Sequence, residues 1–220
     1  MTYPNAFKGI KKVYLAQILM LIVAILTFVA ACVGAVGIQE TSSEAVATGS
    51  LVALGGVTIV MGILSVIAFI INLVGLSQAA KDNGNFKTAF ILTIVGLVLA
   101  IINAAVSGNN SGSGSILETV SNVINVLIVI FVINGIVALA ANLNDEKLQK
   151  KGKTLLTVIT IIMVIALVLS IVGAFVGGNA GNGAAITFAV IGVVAAVLYI
   201  VAYIMYLSLL SKAKKSFGSK

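Results

Sequence analysis

Residues 147–183 read KLQKKGKTLLTVITIIMVIALVLSIVGAFVGGNAGNG. Lysines come first, an apolar run from Leu155 to Val176 follows, and a glycine-rich stretch without a basic residue closes the segment. A bilayer core of about 30 Å needs roughly 20 helical residues, and the run supplies them. Its Val and Ile content would favour strands in water. In lipid, however, an open sheet leaves backbone groups unpaired, and a run this long without polar alternation does not fit a barrel strand. The segment is therefore predicted to be a transmembrane helix with lysines at one end only.

The same arrangement recurs along the chain. Further apolar runs extend from Val13 to Gly37, Leu51 to Ala80, Thr88 to Val106, Ile116 to Leu143 and Ala184 to Leu210. All 13 basic residues are lysines, and they occupy alternate hydrophilic stretches. Lys8, Lys11 and Lys12 precede the first run, Lys81 and Lys87 follow the second, Lys147, Lys150, Lys151 and Lys153 follow the fourth, and Lys212, Lys214, Lys215 and Lys220 end the chain. The intervening stretches carry Glu40, Glu44 and Glu118 together with polar or glycine-rich loops such as 107–115 and 177–183. Short cytoplasmic loops retain the basic residues, so the expectation is an all-α integral membrane protein of six transmembrane helices with both termini in the cytoplasm. Tyr3, Tyr14, Tyr199, Tyr203 and Tyr206 lie at or toward the same face.

Composition agrees. Of 220 residues, 60% are apolar and 9% charged, with a mean hydropathy of +1.22, values that suit a bilayer rather than water. A net charge of +7 would point to nucleic acid in a soluble protein. Lysines that flank apolar helices point instead to the lipid bilayer as partner, with anionic lipids at the cytoplasmic face, and no nucleic acid is expected. The chain has no His, Trp or Arg and a single cysteine, Cys32. An intrachain disulfide is thereby excluded, and the usual general base and commonest metal ligand are missing. No cofactor, metal site or catalytic residue is expected. The basic leader and apolar stretch ending at Val29-Ala30-Ala31-Cys32 raise lipidation of Cys32 after signal cleavage as a rival reading, but the apolar run continues to Ile38, as a span does.

The chain reads as one membrane domain of three hairpins, 1–82, 83–149 and 150–220. Phe69-Ile70-Ile71-Asn72 recurs as Phe131-Val132-Ile133-Asn134, Lys87-Thr88 as Lys153-Thr154, and Leu76-Ser77 with Lys81 as Leu207-Ser208 with Lys212. Hairpin repeats of one orientation are related by an axis along the membrane normal. Mitochondrial carriers share a three-hairpin plan but need a kinking proline in each odd helix, whereas the only proline here is Pro4. In size and span count the chain is similar to the substrate-binding subunits of energy-coupling factor transporters, with no motif in common.

Polar groups inside a span mark candidate sites, because each is costly unless paired. Asn72, Asn134 and Tyr203, placed opposite one another by the repeat, fall about 12 Å from the lysine-bearing helix ends at 1.5 Å per residue. They are candidates for a polar lining or for bonds between helices. Asn122 and Asn125 share a helix face, with Asn103 at similar depth and Glu118 one turn away, and together could form a polar mouth. Lys8, Lys11, Lys12, Lys212, Lys214 and Lys215 alternate with apolar residues as headgroup contacts do. Small residues four apart, Ala30 and Gly34, Ala31 and Ala35, Gly173 and Gly177, Ala185 and Ala189, and Gly192 and Ala196, suit helix packing or an oligomer contact.

The sequence thus predicts a non-enzymatic multi-pass protein of a bacterial or archaeal plasma membrane. It would act as an assembly, scaffold or partner subunit, with a second copy or another membrane protein as partner. The alternative is a channel or transporter subunit that passes a small neutral solute or lipid along an Asn/Tyr-lined path.

Overall fold

A computed structural model describes the backbone of residues 3–37, 44–107, 114–176 and 182–218, and the side chains of 3–31, 56–105, 120–165 and 197–218. The described residues form six helices: α1 (Pro4–Gly37), α2 (Glu44–Ala79), α3 (Gly84–Ser107), α4 (Gly114–Asn142), α5 (Glu146–Val176) and α6 (Asn182–Gly218). Within the described residues, α1, α2, α3, α4 and α6 are each long and apolar enough to cross a membrane. Most of the apolar run of α5 beyond Ile165 lies outside the described side chains.

Each helix packs against its sequence neighbours, and α6 returns to α1, so the six close into a ring. The pairs α1/α2 and α3/α4 make extensive contact. Among the described residues α4 also meets α6, whereas α2 meets neither of them. The described ring is therefore not evenly threefold.

Several helices run well past the apolar segments read from the sequence. α1 begins at Pro4 rather than Val13, α5 at Glu146 rather than Leu155, and α6 continues to Gly218 rather than Leu210. The buried core lies largely in and beside these extensions. Ala6, Ile10 and Val13 of α1, Leu148 and Leu155 of α5, and Leu210, Ala213 and Phe217 of α6 join Leu76, Phe86, Ile133, Ile136 and Leu139 from the other helices. The spacing explains the selection. Positions 6, 10 and 13 follow i, i+4, i+7, and positions 148, 152, 155 and 159, then 206, 210, 213 and 217, add i+11, each one stripe of a helix, with lysines on the other faces. Farther along the helices, apolar side chains are open: Phe28 is 70% exposed and Ile59 is 66% exposed. Apolar surface of this kind is what lipid covers.

Glycines let the helices approach at the lysine-bearing end. A Cβ at Gly9 would stand 2.5 Å from the Gly75 carbonyl oxygen, so α1 and α2 cross backbone against backbone. At three other seams a glycine seats a side chain of the next helix: Gly135 takes the Phe86 ring, Gly152 takes Val137, and Gly218 takes the Phe7 ring.

Gly9→Ala should therefore destabilise the fold by about 1–3 kcal/mol, since backbone atoms must move apart. Gly62 has nothing within 4 Å of a Cβ position. Gly62→Ala should be neutral or stabilising by up to about 1 kcal/mol through helix propensity. Reversible unfolding in mixed detergent micelles compares the two variants directly.

Candidate functional site

The polar contacts of the described residues concentrate where the lysines are. α1 opens with Tyr3, whose carbonyl accepts from the Phe7 amide at 2.9 Å, followed by Pro4 in the first helical position. Tyr3 has no side chain suited to capping the free amides. Asp82, in the turn between α2 and α3, supplies the acceptor instead: its carboxylate takes the Ala6 amide at 2.7 Å and the Asn5 side-chain amide at 2.9 Å. An anion at a helix N-terminus also meets the positive end of the helix dipole.

The turn between α4 and α5 is built differently. The Asp145 amide donates back to the Ala140 carbonyl at 2.9 Å and the Asn144 amide to the Ala141 carbonyl at 3.1 Å, closing α4 with Asn144 at φ 54°. This is the doubly bonded C-terminal motif in which Asn can replace Gly. Asp145 then caps α5, accepting from the Leu148 amide at 3.0 Å. Its second oxygen accepts from the Ser216 hydroxyl at 2.8 Å. One aspartate thus holds the start of α1 and the other the end of α6, each from a lysine-end turn.

α1 and α6 are also joined to each other. The Tyr203 hydroxyl donates to the Gln17 carbonyl at 2.7 Å and lies 3.2 Å from the Gln17 side-chain oxygen. The Lys214 ammonium sits 4.8 Å above the centre of the Tyr14 ring, within range of cation–π attraction. Between α5 and α6, the Lys151 ammonium donates to the Ser208 hydroxyl with Lys212 beside it. Burial, and then the neighbouring positive charge of Lys212, lower the Lys151 pKa from its ordinary value. None of the described lysines forms an ion pair with a carboxylate.

The expected polar trio is not joined. Tyr203 bonds between helices, whereas Asn72 and Asn134 are half-buried and make no hydrogen bond among the described residues. Asn122 and Asn125 share an exposed face of α4, also without a partner, while Asn103 is half-buried and engaged. Lys8, Lys11, Lys212 and Lys215 are exposed, and Lys12 and Lys214 are half-buried. The side chains of Glu118, Gly173, Ala185, Ala189, Gly192 and Ala196, and all of Gly177, lie outside the described residues, as does the side chain of Cys32. No group of three or more potential metal ligands occurs among the described residues. A shallow depression of about 470 Å³ is lined by Glu146, Gln149, Lys150, Lys153, Thr154 and Thr157, all from α5. It is the open polar face of one helix. The hydroxyls of Thr154 and Thr157 donate back to the carbonyls of Lys150 and Lys153, which commits their hydrogens within the helix.

The sequence reading missed Asp82, Asp145, Gln17, Ser208 and Ser216. Only Asp145 carried a local signal, because Asn144-Asp145 directly precedes an apolar stripe.

Asp145→Ala removes a cap together with the tie to α6 and should cost about 1–2 kcal/mol. Tyr203→Phe should cost roughly 0.6 kcal/mol, the average for a bond between membrane helices. A double-mutant cycle of Asp145→Ala with Ser216→Ala in the same unfolding assay isolates the contribution of the Asp145–Ser216 bond, which is expected to be favourable.

Compared with protein-family models, curated proteins and solved structures, the chain matches none, so the function is argued from these residues alone.

Proposed function

We propose that the protein is a multi-pass plasma-membrane protein of bacterial or archaeal type that acts, without chemistry of its own, as a membrane-embedded assembly, scaffold or partner subunit. In this reading all six helices cross the bilayer as three hairpins, with the lysine-bearing end and both termini in the cytoplasm. The carrying observation is the closure of that end. Ile10, Leu76, Phe86, Ile133, Ile136, Leu139, Leu155, Leu209 and Leu210 are fully buried there, drawn from all six helices. A solute path along the ring axis would have to pass through this apolar core. Asn122 and Asn125 give further support, since exposed amides without a partner among the described residues are costly in lipid and are relieved by a neighbouring polypeptide.

One observation favours the second reading, a path for a small neutral solute or lipid. Asn72 and Asn134 are half-buried with no hydrogen bond among the described residues, so their amides are available to a passing molecule or to water.

The two readings part in nanodiscs and proteoliposomes. The assembly reading expects particles larger than one copy, or a copurifying membrane protein, with Asn122→Leu plus Asn125→Leu weakening the association. A single-copy particle that admits small neutral solutes, with flux lost in Asn72→Leu plus Asn134→Leu, would overturn it in favour of transport. Orientation is read separately. In a Cys32→Ser background, a thiol placed by Ser219→Cys should react with an impermeant maleimide only after cells are opened.

A further inference from the structure

α5 and α6 bring two like charges together without an acid to balance them. Lys151 is half-buried, donates to Ser208 and has Lys212 as its immediate neighbour. Both lysines lie on the helical extensions whose other faces are pinned in the core, Lys151 between Leu148 and Leu155 and Lys212 between Leu209 and Ala213. The repulsion therefore cannot be relieved by swinging the helices apart. The carboxylates of this end are committed elsewhere, Asp82 to the start of α1 and Asp145 to the start of α5 and to Ser216. Glu146 pairs with no lysine. Lys214 is engaged with the Tyr14 ring, whereas among the described residues Lys151 has a neutral hydroxyl and another cation as its polar neighbours.

We propose that Lys151 and Lys212, braced by Ser208, form a binding site for a phosphate group at the α5/α6 seam. An ammonium has three N–H donors, and the Lys151 ammonium gives one to Ser208, so donors remain on both lysines. A phosphate oxygen on each would convert a repulsive pair into two charge-assisted hydrogen bonds. The group can come from an anionic lipid headgroup or from free phosphate. The lipid source rests on the proposed cytoplasmic, headgroup-level position of this end; the phosphate site itself does not.

The test uses the full chain in neutral detergent and compares retention of phosphatidylglycerol and phosphatidylcholine by native mass spectrometry, with inorganic phosphate as competitor. Lys151→Gln plus Lys212→Gln should weaken phosphatidylglycerol retention about tenfold or more, a change of at least one decade in the dissociation constant. Lys150→Gln plus Lys153→Gln, which removes the same charge from the exposed face of α5, should leave retention within about twofold, a few tenths of a decade. Lys151→Arg plus Lys212→Arg keeps both charges and should retain the lipid, which separates charge recognition from loss of fold.

Equal loss in both glutamine pairs would overturn the proposal, because diffuse attraction would then account for binding. Undiminished retention in Lys151→Gln plus Lys212→Gln would overturn it as well, as would the absence of both phosphatidylglycerol preference and phosphate binding in the parent protein. Binding of inorganic phosphate alone, lost in that glutamine pair, upholds the site and assigns free phosphate as its source. Since these arms need no bilayer, a failed orientation test and a failed phosphate site give different results.

Discussion

Two solvents act on this chain, and only one of them drives side chains together. Between helices in lipid there is no hydrophobic force, because the acyl chains are as apolar as leucine, so packing depends on close fit and on bonds between helices. Where a helix end reaches water or headgroups, burial of apolar surface becomes favourable again. The distribution of buried side chains follows that division. Ile10, Leu148 and Phe217 gather on amphipathic extensions at the lysine-bearing end, with Leu155 and Leu210 directly beside them, while Phe28 and Ile59 farther along remain open. The glycines sit on the same side, and Gly9 against Gly75 brings two backbones close enough for dispersion to act along the α1/α2 crossing. A compact base of this kind holds six helices that have little else to gather them.

Closure of the ring is an electrostatic matter as well as a packing one. No turn joins α1 and α6 across the ring, so their seam is held by noncovalent contacts. Asp82 holds the start of α1 by accepting two N–H groups, and Asp145 holds the end of α6 through Ser216. With Asp82 and Asp145 used as caps and ties, Glu146 is the one remaining acid among the described side chains and it pairs with no described lysine, so the exposed lysines are available to molecules outside the chain. The core at this end and the lysines without ion pairs around it thus belong to one arrangement, with the two aspartates turned inward to backbone, amide and hydroxyl groups.

Much of the helix content was legible because it rests on long apolar runs and on lysines at alternate turns. The extensions were not, because a run ends at the first lysine while a helix need not. The stripe 148, 152, 155 and 159 is interrupted by Lys150, Lys151 and Lys153 and by a glycine, so apolar content alone gives no warning of it. Gly9, Gly75, Gly135, Gly152 and Gly218 likewise carry no motif, since only one of each contacting pair is small apart from Gly9 with Gly75. The Asp82 cap spans 76 residues to Ala6, and no local pattern encodes a separation of that length. Tyr203 was singled out as a polar group of its helix, but its partner Gln17 lies 186 residues away, in a helix that the expected repeat did not relate to it.

Under the proposed hairpin repeat, the parting of Asn72, Asn134 and Tyr203 has a simple reason. A hairpin repeat places equivalent residues at one depth, but not in one chemical setting, because the last hairpin must also close on the first. Tyr203 stands at that closing seam, where its hydroxyl reaches Gln17, and a tyrosine bridges such a gap better than an asparagine because its ring adds length before the polar tip. Asn72 and Asn134 stand within the series, with no seam to close. If the protein works through its embedded surface, these two amides and the exposed pair Asn122 and Asn125 are where a partner finds polar groups that the chain has not already used.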